Sequence, residues 1–144
     1  MEEPAVNLTV LIDDNEVDLF LQKRFMQINR FSDNIIEFNS PITALDYLSV
    51  KSEKEVPQII FLDLNMPLMN GFEFLAQFEK LPIERIQKTK VIVVTSSGNA
   101  KDREQALNYK SVFGFITKPF NTTNLDELRN KLIKSVYKES TLIN

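Results

Sequence analysis

The sequence predicts a doubly wound α/β domain: a five-stranded parallel sheet with helices on both faces. Three observations predict it. Five short apolar runs, at residues 8–12, 35–38, 59–62, 91–94 and 113–116, are mostly rich in Val, Ile and Phe, and short enough for buried strands. Longer segments with apolar residues spaced at three and four separate these runs, so strand alternates with helix along the chain. A length of 144 residues suits one domain that buries a full core without a covalent staple. Such alternation implies parallel strands joined by right-handed crossovers.

The elements are read in chain order. After the run at 8–12, Val17, Phe20, Leu21 and Phe25 repeat at helical spacing. After the run at 35–38, Ser40 is a suitable N-cap and Pro41 suits a first helical position, with Ala44, Leu45 and Leu48 as the apolar stripe. Residues 51–55 read as a charged loop. The run at 59–62 leads to Asn70-Gly71 and a third helix carrying Phe72, Leu75 and Phe78, whose rings read as core. Residues 84–90 read as a second charged loop. The run at 91–94 precedes a mostly polar segment, 100–108, expected to be a short and loosely packed helix. After the run at 113–116, Asn121, Thr122 and Thr123 offer caps for a last helix marked by Leu125, Leu128, Leu132 and Val136. Beyond Val136 the chain turns polar and is expected to fray. No repeat, low-complexity tract or interdomain linker interrupts this order.

Composition excludes several functions. There is no cysteine and no histidine, which removes disulfides, thiolate and imidazole metal sites, histidine triads and a phosphohistidine on this chain. A net charge of -3 argues against direct nucleic-acid binding. The start, Met1-Glu2-Glu3-Pro4, is acidic where a secretory signal is basic, and the apolar runs are far too short to span a bilayer. A cytoplasmic protein without membrane insertion is expected. No GxxxxGK[ST] run is present, so a P-loop is excluded.

The chemistry sits at the carboxyl end of each strand. The first ends in Asp13-Asp14, the third in Asp63, the fourth in Thr95-Ser96 and the fifth in Thr117-Lys118-Pro119. Open parallel sheets bind ligands at the carboxyl ends of their strands, where the strand order reverses. In the flavodoxin-like order 2-1-3-4-5, strands one and three are neighbours there, so Asp13, Asp14 and Asp63 converge, flanked by Thr95 and Lys118. Three carboxylates repel one another, and a divalent cation relieves that cost. Oxygen ligands alone point to a hard ion, Mg2+ (or Mn2+), rather than zinc or copper. An aspartate in such a pocket suits nucleophilic attack on phosphorus, giving an aspartyl phosphate. Lys118 would add positive charge, and the Thr95 hydroxyl a hydrogen bond. Taken singly, each Asp reads as a helix cap, Thr95 as a β-branched strand residue and Lys118 as a surface charge. Their placement after four separate strands favours the joint reading.

Four segments carry a resemblance. They are Val10-Leu11-Ile12-Asp13-Asp14-Asn15-Glu16, Phe61-Leu62-Asp63-Leu64-Asn65-Met66-Pro67-Leu68-Met69-Asn70-Gly71, Val94-Thr95-Ser96-Ser97 and Gly114-Phe115-Ile116-Thr117-Lys118-Pro119-Phe120. Together they resemble the receiver domain of two-component response regulators, of the stand-alone, single-domain type. The likeness covers roughly residues 7 to 136, with the domain placed at 7–138, short tails at 1–6 and 139–144, and no output domain.

The resemblance implies that Asp63 is the phosphoacceptor. It implies Asp14, Asp63 and the backbone carbonyl of Asn65 as metal ligands, with Asp13 acting largely through a bound water. Thr95 and Lys118 would contact the phosphoryl group, and the Lys118–Pro119 bond would be cis. Thr95 and Phe115 would form the switch pair, although by itself an aromatic on a fifth strand is as readily core. The Phe115 ring lacks the hydroxyl that Tyr brings to this position in other members. The side chains of Asn65 and Ser97 would influence phosphoryl lifetime through access of water.

The implied donor is a sensor histidine kinase or a histidine phosphotransfer protein. The implied exit of the signal is contact with a downstream protein through the 100–108 helix, fifth strand and last helix, around Phe115 and Phe120, or onward phosphotransfer. Phe120 reads equally as core. A homodimer through the same face, or through the end of the last helix, is compatible with the family. Such a protein is a signalling phosphoacceptor that assists its own phosphorylation and dephosphorylation rather than an enzyme. Two rivals remain. A phosphatase of the haloacid-dehalogenase type resembles a DxD strand end, but Asn65, two positions after Asp63, cannot act as a general base. A phosphorylation-independent adaptor would keep the fold, but degenerate receivers usually lose an acidic residue or the lysine, and here the set is whole.

Overall fold

The computed structural model describes residues 4–50, 56–96 and 99–143, with residues 136–143 through their backbone alone. The loop at 51–55, the acidic start at 1–3, Ser97 and the Val136 side chain lie outside the described residues. The chain runs β1 (Val6–Ile12), α1 (Glu16–Ile28), β2 (Ser32–Phe38), α2 (Pro41–Val50), β3 (Ile59–Asp63), α3 (Gly71–Phe78), α4 (Ile83–Ile86), β4 (Lys90–Thr95), α5 (Ala100–Leu107), β5 (Val112–Thr117) and α6 (Thr122–Ile143). The five strands form one parallel sheet in the order β2-β1-β3-β4-β5, as predicted.

Strand periodicity divides the core in two. Leu11, Ile59, Phe61, Ile92 and Val94 point to the face covered by α1 and α6, through Leu19, Met26, Leu125, Leu128 and Leu132. Val10, Ile12, Ile60, Leu62 and Val91 point to the opposite face, covered by Ala44 and Leu48 of α2 and Phe74, Leu75 and Phe78 of α3. Every residue of β3 is buried, which explains its unbroken apolar run up to Asp63. Phe61 meets Phe31 and Phe120 edge-on, at 5.9 and 5.5 Å between centroids. Each such ring, fully buried, contributes roughly 1.5–3 kcal/mol. Phe120 is therefore core, and takes no part in an exposed face.

Three details depart from the sequence reading, the last being that α6 continues to Ile143 where the chain was expected to fray beyond Val136. Of the stripe that marked α1, Val17, Phe20 and Leu21 face solvent at 67, 65 and 43% exposure, while Phe25 is half-buried and packs against the core beside Phe120. The buried face is Leu19, Gln22 and Met26. Both stripes have helical spacing. The more polar one is turned inward because Asn15 caps the helix through Val17 and Asp18, and Gln22 has a carboxylate partner inside. The second departure is α4, a single turn within the stretch read as a charged loop. It starts after Pro82, and the Arg85 guanidinium donates to the Leu48 carbonyl at 2.8 Å. The α5 helix is packed loosely, as expected, with Ala106 its buried residue.

Candidate functional site

The carboxyl ends of β1, β3, β4 and β5 deliver the site. Asp13 comes directly after β1, its N–H donating to the Phe38 carbonyl at 3.1 Å. Asp63 is the last residue of β3. The Lys118 N–H donates to the Thr95 carbonyl at 2.8 Å, which extends the β4–β5 pairing and sets Lys118 beside Thr95. The Lys118–Pro119 peptide is cis. Oxygen atoms of Asp13, Asp14 and Asp63 all lie within 4.8 Å of one another. Asp13 and Asp63 are buried and Asp14 is exposed, so the cluster opens to solvent at one side.

Each buried carboxylate has its own partners. Asp13 Oδ1 accepts from the Asn15 N–H at 2.9 Å. Its Oδ2 accepts from Lys118 Nζ at 2.9 Å and Gln22 Nε2 at 3.3 Å. Among the described residues Asp63 has fewer: the Asn65 N–H at 3.4 Å and Lys118 Nζ at 3.7 Å. Burial and the neighbouring Asp13 charge push the Asp63 carboxyl up to about 6, against the opposing pull of Lys118 and Asn65. Burial works against the charged form of Lys118, but its bonds to Asp18 and Asp13 and the charge of Asp63 outweigh it. The ammonium is held above its ordinary value.

The loop after β3 is shaped by α3. Asn70 caps this helix reciprocally with Glu73, at 2.9 and 3.2 Å. Asn65 stands exposed at the mouth of the pocket. Thr95 is buried at 6% exposure, beside a cavity of about 40 Å³ shared with Leu64, Asp102, Arg103 and Phe115. Phe115 is half-buried, with the Arg103 guanidinium 5.2 Å from its ring centre. A cavity of about 500 Å³ lies at the opposite ends of β4 and β5, among Ile83, Ile86, Lys90 and Phe113. It has no carboxylate cluster among the described residues.

Among the described residues, the predicted Asp13, Asp14, Asp63, Asn65, Thr95, Phe115 and Lys118 lie toward this end of the sheet. Sequence reasoning missed Asp18, Gln22 and Arg103. Asp18 lies in the first turn of α1, where an acidic residue reads as a partner of the helix dipole. Instead its Oδ2 accepts from Lys118 Nζ at 2.7 Å. Gln22 carried a signal, a polar residue between Leu19 and Met26 on a helical stripe. Arg103 carried none.

A parallel sheet in this order, with carboxylates from β1 and β3 facing a lysine from β5, defines an α/β domain with an acidic pocket at its switch point. Residues 9–130 match the family described as the response regulator receiver domain. The chain belongs to that family, a receiver domain of two-component systems, whose members work with sensor histidine kinases. It is 37% identical over 87 residues to the probable transcriptional regulator ycf29 of Pyropia yezoensis, covering 60% of this chain and 38% of that one. The chain thus spans well under half the length of that relative. Among solved structures, a response regulator receiver protein from Dyadobacter fermentans superposes with a TM-score of 0.78 at 28% identity, covering 88% of this chain and 97% of the other. The receiver domain of sensor histidine kinase PA1611 from Pseudomonas aeruginosa, with a magnesium ion in its active site cleft, superposes with a TM-score of 0.70 at 18% identity, covering 89 and 98%. At that identity the likeness concerns the fold. No helix among the described residues is long and apolar enough to cross a membrane.

Proposed function

We propose that this receiver accepts a phosphoryl group onto Asp63 from a phosphohistidine of a sensor histidine kinase or phosphotransfer protein. The observation that carries the reading is the convergence of Asp13, Asp14 and Asp63 within 4.8 Å, next to the Lys118 ammonium. Three oxygen donors of this kind, partly open to solvent, fit Mg2+ or Mn2+, which keep several waters. Asp14, Asp63 and the Asn65 carbonyl would hold the ion, with Asp13 contributing through a water, since hydrogen bonds already engage both its oxygens. A bound ion supplies charge neutralisation for the carboxylates and for the phosphoryl oxygens.

The chain's own residues do the rest. An ionised Asp63 oxygen forms the new O–P bond as the P–N bond of the donor breaks, and the departing imidazole takes up a proton. Lys118 offsets charge on the transferring group, and the Thr95 hydroxyl donates to one of its oxygens. These 144 residues hold no histidine, so the phosphohistidine lies outside them. Thr95 and Phe115 form the switch, and the signal leaves through the α5–β5–α6 face by contact or onward transfer. The outward stripe of α1, Val17, Phe20 and Leu21, lies on the helix that borders the pocket and suits docking of the donor. The receiver unit is residues 7–138, acting in the cytoplasm.

Intact-mass measurement after incubation with acetyl phosphate tests this, with and without Mg2+ and with Asp63→Asn alongside. A gain of one phosphoryl group that needs both Mg2+ and Asp63 is expected. A folded protein that gains no mass from acetyl phosphate or from candidate kinases is instead an adaptor.

A further inference from the structure

Lys118 is shared unequally among three carboxylates. Its Nζ lies 2.7 Å from Asp18 and 2.9 Å from Asp13, but 3.7 Å from Asp63. Two of its three N–H groups are thus directed at the α1 side of the pocket, and the distance to Asp63 exceeds a hydrogen bond. The Asp18 position is fixed locally. Asn15 caps α1 by accepting from the Asp18 N–H at 3.1 Å, which sets the helix rotation and turns this carboxylate toward Lys118. The pair is partly shielded, with the Lys118 side chain 17% and that of Asp18 30% exposed. Asp18 is the more solvated of the two tight partners, and so the more easily exchanged.

We propose that Asp18 is a positioning residue that holds the Lys118 ammonium back from Asp63. The charge geometry gives the reason. An ammonium moved onto Asp63 would compete with a divalent cation for the same oxygens and repel it. Withdrawn by Asp18, it leaves the metal-facing edges of Asp14 and Asp63 available. An incoming phosphoryl group carries more negative charge than one carboxylate, and it displaces Asp18 as the partner of Lys118. Asp18 thereby favours ion binding before transfer, at the cost of one ion pair to be broken during transfer. The inference deepens the reading of Asp63 as phosphoacceptor and rests on it.

The two consequences of removing the charge have opposite signs. In Asp18→Asn, Lys118 is left to Asp13 and Asp63. The Mg2+ concentration for half-saturation is expected to rise by about three- to tenfold, the scale of one partly shielded charge interaction. At saturating Mg2+, the initial rate of phosphorylation by acetyl phosphate is expected to rise by about two- to fivefold, because no Asp18 contact has to break. Asp18→Glu keeps the charge and is expected to restore Mg2+ half-saturation to within about twofold of the unmodified chain.

The experiment is calorimetric titration of the full chain and both variants with MgCl2 at constant ionic strength, after circular dichroism has verified their fold. Phosphorylation rates are then measured by intact mass. Unchanged Mg2+ binding in Asp18→Asn overturns the assignment, as does an Asp18→Glu variant as weak as Asp18→Asn. A lower saturated rate in Asp18→Asn overturns it too, since Asp18 would then aid transfer. If no form takes up phosphoryl groups while the Mg2+ titrations differ as expected, the phosphoacceptor reading fails and the ion-binding role of Asp18 stands.

Discussion

Gly71 and Asp63 are in near contact through their backbones: a Cβ at Gly71 would stand 2.9 Å from the Asp63 carbonyl oxygen. It would also stand 2.8 Å from Leu64 Cα, and the Gly71 N–H donates to the Leu64 carbonyl at 2.9 Å. The first turn of α3 therefore presses on the end of β3, and the residue that carries the central carboxylate is held from behind. The glycine is required by this close approach.

Gly71→Ala is expected to lose about 1–3 kcal/mol of stability, the usual penalty of overpacking a backbone contact. Urea unfolding measures it. Phosphorylation of Asp63 should slow in the same variant, because relief of the clash shifts Leu64 and the carboxylate next to it.

Asp63 gives a pH dependence with a defined sign. Its carboxyl is raised from 3.8 to about 6 in the fold, so the folded state binds the proton more tightly than the unfolded chain. The associated stability is fully present below about pH 4 and is lost as pH rises through 6. In metal-free buffer, Asp63→Asn removes this dependence. The variant should become the more stable protein by about 1–3 kcal/mol between pH 4 and pH 7, read from melting with a chelator present. Added Mg2+ should narrow the gap by stabilising the unmodified chain.

Lys118→Gln removes the positive charge shared by Asp13, Asp18 and Asp63. Mg2+ should bind more tightly, because a competing cation has gone. Phosphorylation should nevertheless slow by about a hundredfold, the order of losing one charge-stabilising group at a transferring centre. Titration with MgCl2 and a mass time course with acetyl phosphate check the two halves.

Arg103 and Phe115 should be energetically coupled. The guanidinium lies 5.2 Å from the ring centre on a half-buried face. A double-mutant cycle with Arg103→Ala and Phe115→Leu should return about 0.5–1 kcal/mol of coupling at equilibrium unfolding. A cycle that closes at zero would mean that Arg103 places no restraint on the proposed switch ring.

Phe20 is 65% exposed on α1. Phe20→Ser should change stability by less than about 0.5 kcal/mol. It should leave uptake from acetyl phosphate unaltered and slow transfer from a phosphorylated kinase, which reports on docking alone.

Most strand and helix positions were legible because each kind of element imposes its own period on the apolar residues. The run from Ile59 to Leu62 is buried on both faces, and its composition says so without any partner. The rotation of α1 was not legible. Val17, Phe20, Leu21 and Phe25 make the more hydrophobic stripe, but Leu19, Gln22 and Met26 face the sheet and only Phe25 of that stripe packs against the core. The spacing of Gln22 between Leu19 and Met26 is visible, but what holds a polar residue at that core position, Asp13, comes from another element. The turn at Ile83–Ile86 was hidden by the charges around it.

The sequence by itself determined the class of fold and the acidic residues of the pocket, because strand order and parallel pairing bring all the strand ends to one edge. It also determined that this chain contributes no imidazole or thiolate of its own, since it has neither. The tertiary structure alone decided how the one lysine among these carboxylates is shared. Lys118 stands closer to Asp18 than to Asp63, two residues 100 and 55 positions away from it in the chain. The physical reason is that a composition or a motif lists charges, whereas an ion pair depends on distances of a few ångströms, set by helix capping and the packing of α1 against the sheet.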